Sequence, residues 1–469
     1  MNLHLALLVG YAAALTALGV WIGRRVRLPG DFFVAGRRLT WPLLLATVLS
    51  SNIGAGALVT ATGLAYQQGV SAWWWNGGAG LASLVLAFVI GPRLWRLAAS
   101  RDYFTIGDFL EDRYGRAVRA IVTSLVWVGT LSILAAQLIA GARVLGIVAG
   151  TSHATGVLIG GIAMTAYFTA GGLLSSAWVN AVQLVVLVGG LSVAVPMLVD
   201  AVGLDAMAAA PGAGAGYWDV WYSAGAMSGW TLLLLLGPNF IISPGLVQKT
   251  FGAVNPRAIR LGVGLNGVIL MIFASVPVAI GIAARASHPG LVPDDVLPTV
   301  LLHDLPLWLS ALALAAVFSA EVSTCDAILF MLSTSLSKDL YKRFLRPDAP
   351  PARVLLVARL AAVAGGIGGM LLALQLPTIL SALAIFFSLV GATLFVPVIG
   401  GLFVKRAGTP EAMAAIACGM IGLLSVQFGT DRTGWWNPNL WGLMASATGF
   451  AVVWITRRLG PARPAEWVG

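Results

Sequence analysis

Residues Ala320–Tyr341 read AEVSTCDAILFMLSTSLSKDLY, an apolar run that carries Glu321, Ser323, Thr324 and Asp326 and leads into a basic cluster of Lys338, Lys342 and Arg343. Ala320, Ser323 and Thr324 stand at i, i+3 and i+4, so they share one helical face. Polar groups at bilayer depth are costly unless something inside the bundle satisfies them. This face is therefore expected to form half of a cation site, with the other half supplied by an interrupted helix elsewhere.

Composition sets the class. Of 469 residues, 59% are hydrophobic and 10% charged, against about 25% charged in a soluble domain, and the mean hydropathy is +0.90. An all-α, polytopic membrane protein embedded in a lipid bilayer is expected. Cys325 and Cys418 both lie in apolar runs, and His4, His153, His288 and His303 are scattered. No disulfide framework, cysteine metal site or histidine cluster is expected from them. The sequence also lacks a phosphate-cradling loop, a nucleophile elbow and a nucleophile–base pair, so an enzyme is not expected.

A spanning helix needs about 20 apolar residues. Thirteen segments qualify: 3–23, 41–67, 71–97, 117–149, 154–172, 173–199, 227–251, 258–285, 306–338, 354–374, 378–404, 409–428 and 438–456. The first has no basic residue ahead of it and Arg24-Arg25 behind it, which argues against a cleaved signal peptide. With the N-terminus outside, all but four of the 28 Lys and Arg residues fall on the inner side, the exceptions being Arg143, Arg285, Arg359 and Arg432. The +10 net charge is thus a topology signal with the C-terminus cytoplasmic, and not a sign of nucleic-acid binding. A plasma-membrane protein, of the bacterial inner-membrane type, is expected, with no obligatory protein partner. The 200–226 loop is expected to hold at most a short surface helix.

Two spans carry breakers. Ser50-Ser51-Asn52-Ile53-Gly54-Ala55-Gly56 lies in the second, and Gly237-Pro238-Asn239 with Ser243-Pro244-Gly245 in the seventh. Proline removes a backbone donor and glycine costs about 1 kcal/mol in a helix interior. Two interrupted helices five spans apart indicate inverted five-helix repeats. The repeats would occupy 41–199 and 227–404, with one extra helix at 3–23 and two at 409–456, all within a single transporter domain.

In that setting further motifs are similar to those of the sodium:solute symporter family, which has a LeuT-like fold. They are Asp31-Phe32-Phe33-Val34-Ala35-Gly36-Arg37, Ser51-Asn52-Ile53, Gly107-Asp108-Phe109-Leu110 with Arg113-Tyr114-Gly115, and Thr169-Ala170-Gly171-Gly172-Leu173 with Gln183. Gln248-Lys249 and Ser323-Thr324-Cys325-Asp326 with Asp339-Leu340-Tyr341 follow in the family's order. The resemblance implies Na⁺-coupled symport of a small organic solute by alternating access. It also implies an Na⁺ site made by the carbonyls of Ser50, Ile53 and Ala320 and the hydroxyls of Ser323 and Thr324. Asn180 stands where the family often has an acidic residue thought to serve a second sodium. Ser243-Pro244-Gly245 replaces the polar and aromatic residues of sugar transporters, so a sugar is not expected.

Solute candidates sit around the two breaks: Asn52, Gly54 and Gly56, then Asn239 and Ser243, with Trp74, Asn76, Gln137, Phe387 and Ser388 on neighbouring spans. Half-helix N-termini there favour electron-rich groups, and few cations are available, so a neutral, zwitterionic or monocarboxylate solute is expected. Glu321 and Asp326 are the candidate coupling or proton sites, Glu321 alternatively pairing with Arg143 or Arg359. Two other functions compete: H⁺-coupled symport through Glu321, and a transporter-like membrane sensor. Uptake that ignores Na⁺ and follows a pH gradient would mark the first. A signalling module would mark the second, and none follows Arg458.

Overall fold

The computed structural model describes residues 3–23, 37–210, 212, 214–222, 228–430 and 436–459. Arg24, Arg25, Arg27, the Asp31–Gly36 part of the first motif, Asp431, Arg432 and Arg463 lie outside these residues. Helix α1 (Leu3–Gly23) is uncharged throughout. The second span forms two half-helices, α2 (Trp41–Asn52) and α3 (Ala55–Gln68). Ile53, at φ −99° and ψ 68°, and Gly54, extended at φ −79° and ψ 155°, open the backbone between them. A tight turn at Gly69–Ala72 passes directly into α4 (Trp73–Val85). Gly69 has φ +78° and touches Tyr217 so closely that a Cβ would lie 1.9 Å from its carbonyl oxygen. No other residue fits there.

Beyond α4 a π-helical stretch leads into α5 (Gly91–Arg101), and α6 (Ile106–Tyr114) begins with a Thr105–Asp108 capping box. Then follow α7 (Arg116–Ala149) and α8 (His153–Val202). Helix α8 covers two of the sequence segments, but it is no straight rod. A Cβ on Gly160 would lie 3.4 Å from Glu321, and one on Gly190 would lie 3.0 Å from Ala316 on the same helix. Thirty residues of straight helix would part them by about 45 Å, so the chain doubles back between them.

The seventh span is also two helices, α9 (Gly229–Ile242) and α10 (Pro244–Phe251), parted at Ser243 with φ −47° and ψ 121°. Here the structure narrows the expectation. Gly237-Pro238-Asn239 does not unwind, because Asn239 Nδ2 donates to Leu235 O at 2.6 Å, beside the donor that proline lacks. Only Ser243–Pro244 opens.

Helices α11 (Pro256–Phe273), α12 (Ser275–Ser287) and α13 (Val296–His303) precede α14 (Leu307–Thr334), which continues as a π-helix over Ser335–Leu345. The chain closes with α15 (Pro351–Ala373), α16 (Ile379–Val390), α17 (Val396–Phe403), α18 (Thr409–Gly429) and α19 (Pro438–Leu459). Between 200 and 226 the described residues include the short helix Leu204–Ala208. Ten helical stretches among the described residues have the length and apolarity to cross a bilayer. The stretch made by α14 and its π-helical continuation is the most deeply enclosed of them. It packs against α2, α7, α8 and α15.

Where α2 begins and α10 ends, Leu39 N–H donates to Gly252 O (2.9 Å) and Val254 N–H to Leu39 O (3.1 Å). This isolated bridge stitches the entry of α2 to the exit of α10.

Candidate functional site: the junction of the broken helices with α14

The last carbonyls of a helix have no intrahelical donor. At the end of α2 those of Ser50 and Ser51 find donors on α14. Ser323 Oγ donates to Ser50 O at 2.9 Å and also approaches Ala320 O at 3.2 Å, while Thr324 Oγ1 reaches Ser51 O at 3.5 Å. All of these residues are buried except Ser51, which is half-buried. The structure thus gathers Ser50, Ala320, Ser323 and Thr324 around the bend made by Ile53. Ser50 Oγ is buried there without a partner among the described residues. The donor set is oxygen only and lies at a helix C-terminus, where partial negative charge favours a cation. Opened carbonyls plus hydroxyls are what a monovalent cation site in a broken membrane helix requires.

On the other side of the break, the free N–H of Gly56 donates to Gln137 Oε1 at 2.9 Å. Gln137 on α7 is therefore a side-chain cap for α3. Gly54 and Gly56 serve by lacking side chains: a Cβ on Gly54 would lie 2.7 Å from Thr324 Oγ1 and 2.8 Å from Gln137 Oε1, and one on Gly56 2.9 Å from Gln137 Nε2. The Gly54→Ala variant should therefore prise α14 and α7 from the break. It is expected to lower Na⁺-dependent uptake at least tenfold at unchanged membrane abundance, as measured in vesicles.

Next to this junction is a cavity of about 70 Å³. Of the solute candidates, Asn52, Asn239, Ser243 and Phe387 line it. Phe240 and Phe386 lie against Phe387, with ring centroids 6.0 and 5.4 Å away. Asn52 Nδ2 donates to Asn266 Oδ1 (3.2 Å), and Asn239 Oδ1 is buried without a partner among the described residues. Other candidates lie elsewhere. Trp74 stacks on Trp221 (4.3 Å), and it is Trp75, one residue and 100° further round, that meets Phe387 at 6.2 Å. Ser388 turns away to Asn439, 2.5 Å distant, and Asn76 is buried outside the lining.

Glu321 points to the opposite side of α14, into a notch where Gly141 and Gly160 face its carboxylate. It makes no hydrogen bond or ion pair among the described residues. The expected arginine partners are not there: Arg143 pairs with Asp295 at 3.4 Å, and Arg359 is exposed. Asp326 is buried on α14, two residues beyond Thr324.

Met331 lines both the central cavity and a smaller one of about 30 Å³, bounded by Thr105, Gly107, Gln248 and Asp339. A Cβ on Gly245 would lie 2.4 Å from Met331 Sδ, so this thioether is the partition. Below it, Arg119 meets Asp108 and Glu111 at 2.8 Å each, and Asp339. Glu111 also binds Arg343. Burial alone would raise the Glu111 carboxyl, but hydrogen bonds and charge from Arg343 and Arg119 outweigh it and hold it below the ordinary carboxylate value. A carboxyl depressed in the folded state contributes stability above its unfolded pKa, about 4.3, and loses it as pH falls through the folded value. Thermal unfolding midpoints are thus expected to be flat in this respect from pH 7 to about 5 and to fall below about 4. Arg343→Gln should blunt that acid loss.

A profile of the sodium:solute symporter family matches residues 32–422. The chain belongs to the sodium:solute symporter family. Its relatives within this symporter family include the sodium/pantothenate symporter of Escherichia coli, 28% identical over 90% of this chain and 91% of that one. The human sodium/iodide cotransporter is 26% identical over 88% of this chain and 68% of its own length. Among solved structures, a substrate-bound, outward-open Na⁺-coupled sialic acid symporter superposes with a TM-score of 0.83, covering 96% of this chain and 98% of that one at 21% identity. The fold is LeuT-like. As a member of this symporter family the chain is a multi-pass membrane transporter that uses Na⁺ as its coupling ion.

Proposed function

We propose that this symporter imports a small organic solute with Na⁺ bound between Ser50 O, Ile53 O, Ala320 O, Ser323 Oγ and Thr324 Oγ1. The observation that carries the reading is the Ser323 hydroxyl on the Ser50 carbonyl, across a backbone opened at Ile53–Gly54. In that pose the hydroxyls satisfy carbonyls that the ion would otherwise take. Coupling then follows from differential affinity: whichever state holds α2 and α14 together is the state that Na⁺ favours. The solute sits in the adjoining cavity, with its apolar or planar part against Phe240, Phe386 and Phe387. Its polar groups, neutral, zwitterionic or monocarboxylate, face Asn52, Asn239 and Ser243. The solute leaves chemically unchanged. The repeats are residues 41–199 and 227–404, and both the N-terminus outside and the C-terminus inside follow from the inner bias of basic residues.

Glu321 is not among the residues lining the cavity, which supports a reading in which it does not touch the solute. The test is uptake into inverted-free, sealed vesicles with an inward Na⁺ gradient, after a thermal-shift screen of solutes with and without Na⁺, since ligand binding stabilises by RT ln(1 + [L]/Kd). Uptake equal in Na⁺ and choline would sink the reading.

A further inference from the structure

One face of α14 runs from the ion junction toward the Arg119 cluster. Thr324, Ile328, Met331 and Ser335 follow at intervals of four, three and four residues, so they form a single stripe about 16 Å long. Thr324 and Ile328 line the solute cavity, Ser335 lines the smaller cavity beyond it, and Met331 lines both. Helix α10 is the wall between the two. Its Gly245 and Leu246 line the larger cavity, and its Pro244 and Gln248 the smaller.

That wall is closed against α14 at one contact. A Cβ on Gly245 would lie 2.4 Å from Met331 Sδ and 3.1 Å from its Cγ, so the thioether sits in the space that the glycine leaves. Packed interiors keep few voids larger than a water, and here two of them meet at one side chain. Methionine is unbranched and flexible, so it can vacate such a seat without moving the backbone. The two sides also differ in chemistry. On the near side Met331 is accompanied by Ile328, Phe386 and Phe387. On the far side stand Thr105, Thr123, Ser335 and Asp339, and Gln248 Nε2 is buried there without a partner among the described residues. A chamber of about 30 Å³ with such a lining is polar and roomy enough to hold water.

We infer that Met331 is the gate through which the solute leaves: its thioether, seated on Gly245, closes the solute cavity, and the solute departs past it into the smaller polar chamber. The inference rests on the proposed solute cavity and deepens that reading by assigning the exit route. It also gives Gly245 a task apart from opening the seventh span, since its missing side chain is the seat of the gate.

Thiol accessibility tests this without knowledge of the solute. Each variant of the full-length protein carries Cys325→Ala and Cys418→Ala, which remove both native thiols. The probe is a membrane-impermeant trimethylammonium methanethiosulfonate, applied at saturating Na⁺ to the face that bears Lys338, Lys342 and Arg343. Ser335→Cys is expected to react and Ile328→Cys to be protected. Adding Met331→Ala should speed the labelling of Ile328→Cys about tenfold or more, because a gate open at most about 10% of the time slows entry by that factor. Met331→Leu, which nearly keeps the volume, should leave Ile328→Cys protected, whereas Gly245→Ala, which takes the seat of the thioether, should expose it. Equal rates for Ile328→Cys with Met331 intact and with Met331→Ala would overturn the inference. A Ser335→Cys that does not react from that face would overturn it as well. Failure of the Na⁺ reading would show differently, as uptake equal in Na⁺ and choline with the labelling contrast intact.

Discussion

Ser323→Ala combined with Thr324→Ala is expected to abolish solute accumulation at ordinary Na⁺ concentrations. The change removes two oxygen donors from the proposed ion site, and it also deprives the Ser50 and Ser51 carbonyls of their partners on α14. An oxygen lost from the shell of a charged group costs about 1.5–3 kcal/mol of binding. The apparent Na⁺ affinity should therefore fall about tenfold to a hundredfold per lost donor. Na⁺ titrations of uptake read this directly. A matching rise in half-saturation, with the maximal rate partly regained at high Na⁺, is the expected signature. Ser323→Thr, which keeps the hydroxyl, should be milder. An unshifted half-saturation in the double variant would remove the hydroxyl face from the ion's path.

Arg119→Met should be the most destabilising single change. The guanidinium is 6% exposed and is shared by Asp108, Glu111 and Asp339, and the Asp339 side chain is itself 5% exposed. Once it is gone, the Asp339 carboxylate still accepts from the Thr105 hydroxyl at 2.5 Å but has no adjacent cation of this cluster. Removing one member of a buried ion pair costs about 3–5 kcal/mol. The purified variant should show a lower thermal unfolding midpoint and lower abundance in the membrane. Asp339→Asn, which removes the charge and keeps the shape, should cost less. The cluster ties α6 and α7 to the π-helical end of α14 below the cavity at Met331. Variant protein that survives should therefore also exchange solute across the inner mouth more readily.

Much of this was legible in the sequence. The hydroxyl pair on α14 and the glycines of the second span stood out because polar and helix-breaking residues at bilayer depth demand a partner, and the structure supplies each with the other. What the sequence could not show is which way a residue faces once two helices are packed. Trp74 and Trp75 are equivalent in composition, but only the second faces Phe387. Ser388 follows a cavity residue and turns outward to Asn439. Pro238 reads as a break, and the side chain of Asn239 keeps the helix intact there. Gln137 reads as a solute contact, and the structure makes it the cap of a half-helix, a role that appears only when the break is set against α7. Lys249 was the largest omission. Counted by position it is one more positive residue of an inner loop, and only the oxygens of Thr47 and Ser51 around it reveal an interior charge.

The main-chain stitch between Leu39 and residues 252–254 has a mechanical consequence. Two backbone bonds fasten the start of α2 to the end of α10, and each half-helix ends, away from that tie, at a backbone opening: Ile53–Gly54 for α2 and Ser243 for α10. Neither arm can swing without carrying the other. In the proposed cycle, a stroke that loosens the ion's carbonyls on α2 would also shift α10 beside the cavity.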